Sequence, residues 1–106
     1  MMTEKAPTVK FVLSFDIRAG TQQVYYQFMI GQFIPALQGM GLQMSDAWHT
    51  VYGDYPSRIN SFVGLDLKSL REMLSGPEWK ELEARLQEYV DNYSWRIIPL
   101  RDGFQL

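Results

Sequence analysis

Residues 10–29 read KFVLSFDIRAGTQQVYYQFM, and the hydrophobic period changes once within them. Phe11, Leu13, Phe15 and Ile17 alternate with Val12, Ser14 and Asp16. This is the period of two of a strand with one wholly apolar face and one mixed face. Ala19-Gly20 turns the chain, and Thr21 is placed to accept a hydrogen bond from a first-turn amide as an N-cap. Val24, Tyr25, Phe28 and Met29 then recur at helical spacing. Pro35 lacks the amide that a helix interior uses, so the helix is expected to bend or tighten there before Gly39 and Gly41 end it.

Working outward, Leu42 to Tyr52 reads as a second strand, with Trp48, Thr50 and Tyr52 opposite Ala47, His49 and Val51. The turn signal Gly53-Asp54-Tyr55-Pro56-Ser57 joins it in a hairpin to a third strand, Ile59 to Leu65, with Ile59, Val63 and Leu65 on one side. From Asp66 the spacing of Leu67, Leu70, Met73 and Leu74 is helical. Ser75-Gly76-Pro77-Glu78 interrupts it and starts a new helix, with Ser75 as N-cap, Pro77 in the first turn and Glu78 completing a capping box. Trp79, Leu82, Leu86, Tyr89 and Val90 supply its buried face, and Tyr93 to Leu100 closes the chain as a fourth strand. The order βαββαβ predicts an α+β, ferredoxin-like domain: a four-stranded antiparallel sheet with helices on one face. Residues 1–9 are expected to be a flexible N-terminal tail, and 10–106 the single domain.

Composition excludes several classes. The net charge is −2 and no Lys/Arg stripe is present, which argues against a nucleic-acid partner. Cysteine is absent and His49 is the one histidine, so a zinc site of the usual kind cannot be built. No stretch reaches the length of a membrane span, and the opening MMTEKAPT has no signal-like apolar run, so a cytoplasmic protein without membrane contact is expected. No phosphate loop, nucleophile elbow or dinucleotide fingerprint is found.

Helices cover one side of such a sheet, and the other side must be polar or be buried by a partner. Apolar residues fall on both sides of the second and fourth strands: Ala47 and Val51 flank His49, and Trp95 and Ile97 alternate with Arg96, Ile98 and Leu100. A homodimer joined sheet to sheet follows as an expectation. FIPALQGMG (33–41), the strand carrying Trp48, Gly53 in the hairpin and SGPEWKEL (75–82) together resemble the dimeric α/β-barrel superfamily, in its NIPSNAP-like and antibiotic-biosynthesis-monooxygenase-like branches. The resemblance spans about residues 10–100 and implies two sheets facing each other in a barrel with helices outside. It implies no single activity, because the superfamily holds cofactor-free monooxygenases, isomerases, heme-degrading enzymes and proteins without a known reaction. The heme-degrading relatives use a helical histidine as iron ligand. This chain has none in its second helical segment, so no cofactor is expected.

His49 is the leading candidate for chemistry, since a neutral imidazole exchanges a proton near neutral pH. With the apolar face of the first strand under the helices, Ser14 and Asp16 face the barrel; if His49 shares that side, Asp16 orients it. Asn60, Phe62 and Arg96 are expected to line the barrel interior, Arg96 as a bidentate partner for a carboxylate or phenolate. Trp48 and Tyr52 fall beneath the helices, where related monooxygenases bind their ligands. There they either stack on a flat ligand or fill the core, and Tyr25 and Phe28 carry the same pair of readings. The charged face of Glu78, Glu81, Glu83, Glu88, Lys80 and Arg85 reads as solvated, with Glu81 and Arg85 as an i,i+4 pair. The expected function is binding of a small, mostly apolar organic molecule, with metal-free oxidation or isomerisation as its chemistry. The alternative is a non-catalytic assembly or partner-binding protein whose barrel is filled by its own side chains.

Overall fold

The structure is a computed structural model that describes residues 6–49 and 58–100, with the backbone alone at positions 48 and 49. The elements are β1 (Val9–Ile17), α1 (Gln22–Phe28), a π-helical turn (Met29–Phe33), α2 (Ile34–Gly39), β2 (Gln43–His49), β3 (Arg58–Gly64), α3 (Leu67–Leu74), α4 (Pro77–Leu86) and β4 (Val90–Pro99). The strands form one antiparallel sheet in the order β2-β3-β1-β4. Each helical connection therefore steps over one intervening strand, which is the ferredoxin-like arrangement.

Register sorts the sheet into two faces. On the helix side, Phe11 pairs with Phe62 and Ile97, Leu13 with Asn60 and Trp95, and Phe15 with Arg58. Phe11, Leu13, Phe15 and Phe62 are buried, packed with Tyr25 and Phe28 of α1, Phe33 of the π turn, Leu37 of α2, Leu70 of α3, and Trp79, Leu82 and Leu86 of α4. The other face is bare of helices among the described residues and carries Val12, Ile59, Val63 and Ile98 among Ser14, Ser61, Ser94 and Arg96. A Lys10–Asp46 ion pair at 3.3 Å crosses it. Trp95 and Ile97, read in the sequence as part of the reason for a partner, thus belong to the helix side. Trp95 lies edge-on to Phe11 at 5.3 Å.

Two β-bulges decide which residue faces where. On β2, Met44 pairs with Phe62 and Asp46 with Ser61, so Ser45 is an extra residue. Such an insertion reverses the alternation beyond it. On β4, the register shifts between Ser14 and Asp16, where Asn92 takes a φ of 56°. Asparagine tolerates that left-handed conformation, and its side-chain amide donates to Asp16 at 2.7 Å.

Several local details differ from expectation. The chain does not tighten before Pro35; it widens. The Ile34 amide bonds back five residues to Met29, and this wide turn accommodates the missing proline amide. Thr21 is an N-cap by position, yet its hydroxyl donates to the carbonyls of Arg18 (2.7 Å) and Tyr89 (3.0 Å). The cap of α4 is Gly76, not Ser75, and no side chain bonds there; Ser75 closes α3 and donates to Glu72. Asp66 caps α3, accepting from the Ser69 amide at 2.7 Å.

Glu83 is not part of a solvated face. Its Oε2 accepts from the Tyr93 hydroxyl at 2.7 Å and from Trp95 Nε1 at 3.1 Å, tying α4 to β4. Its neighbour Arg85 lies 5.2 Å over the Phe28 ring. Burial first, then the hydrogen bond and negative charge of Glu83, push the Tyr93 phenol well above the ordinary 10.0. An unfolded chain ionises this tyrosine near its ordinary value while the folded chain keeps it neutral. Its contribution to stability is therefore complete below about pH 10 and is lost as pH rises beyond it. In urea melts, Tyr93→Phe is expected to be less stable at neutral pH but to lose stability less steeply above about pH 10. Parallel declines in the two proteins would refute this account of Glu83.

Candidate functional site

Arg58 and Asn60 break the apolar character of the helix side. They follow Phe62 in the same row of β3, because alternation leaves Ile59, Ser61 and Val63 on the bare face. Above them lies a hollow of about 250 Å³ between the sheet and α1. From α1 it is walled by Tyr25 and Tyr26, and from the π turn and the residue after it by Met29, Ile30 and Ile34. The sheet contributes Met44 and Ala47 beside Arg58 and Asn60. The widened turn matters here, since it places Ile30, 72% exposed, at the hollow's rim.

The polar groups are few and arranged. Asn60 is 4% exposed and stands close enough to Tyr25 to act on its hydroxyl. Burial raises the Tyr25 phenol above its ordinary value, while Asn60 and the Arg58 charge pull it back toward it. Tyr25 is therefore a neutral hydrogen-bonding group at physiological pH, not a base. Arg58 lies over the Tyr26 ring at 5.4 Å and donates from Nη2 to the Tyr26 hydroxyl. Its Nε is shut off from solvent and meets no acceptor among the described residues.

The candidates read from the sequence divide between the faces. Ser14 and Arg96 lie on the bare face. Asn60 and Phe62 do not: they are buried beneath the helices, because they pair with Leu13 and Phe11 of the apolar row. The register opposes His49 to Arg58 and Trp48 to Ile59. Position 49 therefore belongs to the helix-side row, next to the hollow, and position 48 to the bare one, the reverse of the expected assignment. Asp16 pairs with Asp91 on the β4 side of β1 and accepts from Asn92; the His49 side chain, and with it the expected partnership with Asp16, lies outside what the structure describes. Tyr52 lies outside the described residues. Of the aromatic pair in α1, Tyr25 lines the hollow and Phe28 belongs to the core. Arg58 was missed. It follows a turn signal and reads as a loop end, although the alternation of Arg58, Asn60 and Phe62 opposite an all-apolar strand was the sign of it.

A second, larger groove of about 780 Å³ lies at the opposite end of the sheet, among Met40, Leu42, Met44, Leu65, Leu70 and Met73. Among the described residues it has no equivalent of the Arg58–Asn60–Tyr25 group. Among the described residues, no cluster of three His, Asp or Glu side chains is arranged to hold a metal, and no helix is long and apolar enough to cross a membrane.

No protein-family model and no curated protein matches the sequence. Solved structures do match. A NIPSNAP family protein from Agrobacterium tumefaciens strain C58 is 16% identical, superposes with a TM-score of 0.66, and the match covers 98% of this chain and 95% of that one. The fold is that of the NIPSNAP proteins. This NIPSNAP-type fold is shared with a hypothetical Arabidopsis thaliana protein (13% identity, TM-score 0.68, covering 99% and 97% of the two chains). It is shared also with SnoaB, a cofactor-independent oxygenase from Streptomyces nogalater (17% identity, TM-score 0.60, covering 92% and 96%).

Proposed function

We propose that the chain binds a small, mostly apolar organic molecule in the hollow between α1 and the sheet, as a homodimer joined through the bare sheet faces. Metal-free oxidation or isomerisation is the proposed chemistry. The observation that carries the reading is an apolar hollow whose floor holds an arginine and an asparagine–tyrosine pair: binding sites are mostly greasy, with a few placed polar groups that orient the ligand. The likeness to a cofactor-independent oxygenase supports this choice of chemistry without fixing a substrate. His49 is the proposed proton carrier, since its backbone position adjoins Arg58 in the row beneath the hollow. For the dimer, support comes from Ile59, Val63 and Ile98, half-buried on a face that none of the described helices covers.

Ala47 offers a direct test, because a large side chain there fills the hollow from the sheet without disturbing the core. A panel of small neutral arenes and short aliphatic compounds, screened by ligand-observed NMR, is expected to yield binders of the wild-type protein that Ala47→Phe no longer binds. Absence of binders at millimolar concentration, or binding indifferent to Ala47→Phe, would favour a protein filled by its own side chains.

A further inference from the structure

The hollow's charge is more specific than its shape. Arg58 brings a full positive charge to a wall whose other described residues are apolar or neutral, and among the described residues no acidic one lines it. The guanidinium is held rather than free: the Tyr26 ring lies beneath it and the Tyr26 hydroxyl occupies one Nη2 hydrogen. That contact leaves the Nε–H without an acceptor among the described residues, although the atom is withdrawn from solvent. A buried donor normally finds a partner, and a charged one left without is costly. Arginine differs from lysine in presenting a planar fork of donors whose spacing matches the two oxygens of a carboxylate.

We infer that the hollow selects small, largely apolar monocarboxylates, with the Arg58 guanidinium as the group that holds the carboxylate. The inference rests on the hollow's being a ligand site, as proposed above. Its volume of about 250 Å³ lies just below the range of roughly 300–1,000 Å³ that takes drug-sized ligands. The carboxylate therefore carries a single ring or a short chain, which reaches Met29, Ile30 and Ile34 while its oxygens rest on Arg58. Asn60 and Tyr25 stand beside Arg58 in the same wall and are the groups that hold a second polar atom of the ligand.

Cinnamate and cinnamamide test this, since they share size and flatness and differ in charge. By calorimetry, wild-type protein is expected to bind cinnamate about tenfold or more tighter than cinnamamide, the ratio set by one charge-assisted hydrogen-bonding group. Arg58→Met is expected to bring cinnamate down to the level of the amide, abolishing the difference between the two. Arg58→Lys, which keeps the charge without the planar guanidinium, is expected to recover only part of the preference. Equal affinities in the wild-type protein, or full cinnamate preference in Arg58→Met, would overturn the inference while leaving the hollow as a neutral-ligand site if the arene panel binds there. Failure of both the panel and the cinnamates would overturn the hollow as a ligand site, and the inference with it. Should Arg58→Met not fold, the wild-type comparison decides alone.

Discussion

Trp79→Ala is expected to cost about 3–5 kcal/mol of folding stability, a large share of the roughly 5–15 kcal/mol that holds a domain of this size together. Trp79 is 2% exposed, and its ring meets Phe11 edge-on at 5.4 Å and Phe33 at 6.1 Å. Those contacts join the first residues of α4 to the central strand and to the π turn at once, so alanine leaves a void that no single element can close. Trp95→Ala serves as the comparison, because Trp95 is 39% exposed on the edge strand and loses mainly its Glu83 bond and one face of Phe11. Urea melts followed by circular dichroism should place Trp79→Ala far below Trp95→Ala. Equal losses, or a loss below about 1 kcal/mol at Trp79, would contradict the packing described.

A second large effect is expected at the bare face. Ile59 is half-buried on a central strand, between Ser14 and the register position of Trp48. In a single chain an aspartate at 59 keeps contact with water and costs little. Pressed against a second copy it becomes an unpaired charge, at about 3–5 kcal/mol for each, and the two-fold arrangement of a homodimer places two of them. Ile59→Asp is thus expected to shift the protein from dimer to monomer at micromolar concentration in sedimentation, with its circular dichroism unchanged. A wild-type protein that sediments as one chain would remove the dimer from the proposal.

How much of this was legible in the sequence depended on the length of each uninterrupted pattern. The all-apolar row of β1, the helical stripe that includes Trp79 and Leu82, and the element order could be read because each repeats a period over several residues with nothing inserted. Ser45 broke the reading of β2. One extra residue turned Ala47, with the backbone position of His49, to the helix side, and a single bulge leaves little trace in composition. Glu83 was misread for a related reason: it lies within a run of charged residues, and only the fold brings Tyr93 and Trp95 to its carboxylate. Pro35 announced an irregular helix but not its sense, since a missing amide is met by a wider turn as readily as by a tighter one. The hollow depends on all of these together, which is why Asn60 was named as a site residue on the wrong face and Arg58 was not named.

The claim on which the functional account turns is that ligand enters the hollow beside Arg58, not the larger groove at the other end of the sheet. Methionine methyl groups separate the two: Met29 lines the hollow, Met40 and Met73 line the groove, and Met44 borders both. In a methyl-labelled protein titrated with cinnamate, the account predicts saturable shifts at Met29 and Met44, with Met40 and Met73 unmoved. Shifts at Met40 and Met73 with Met29 unmoved would contradict it.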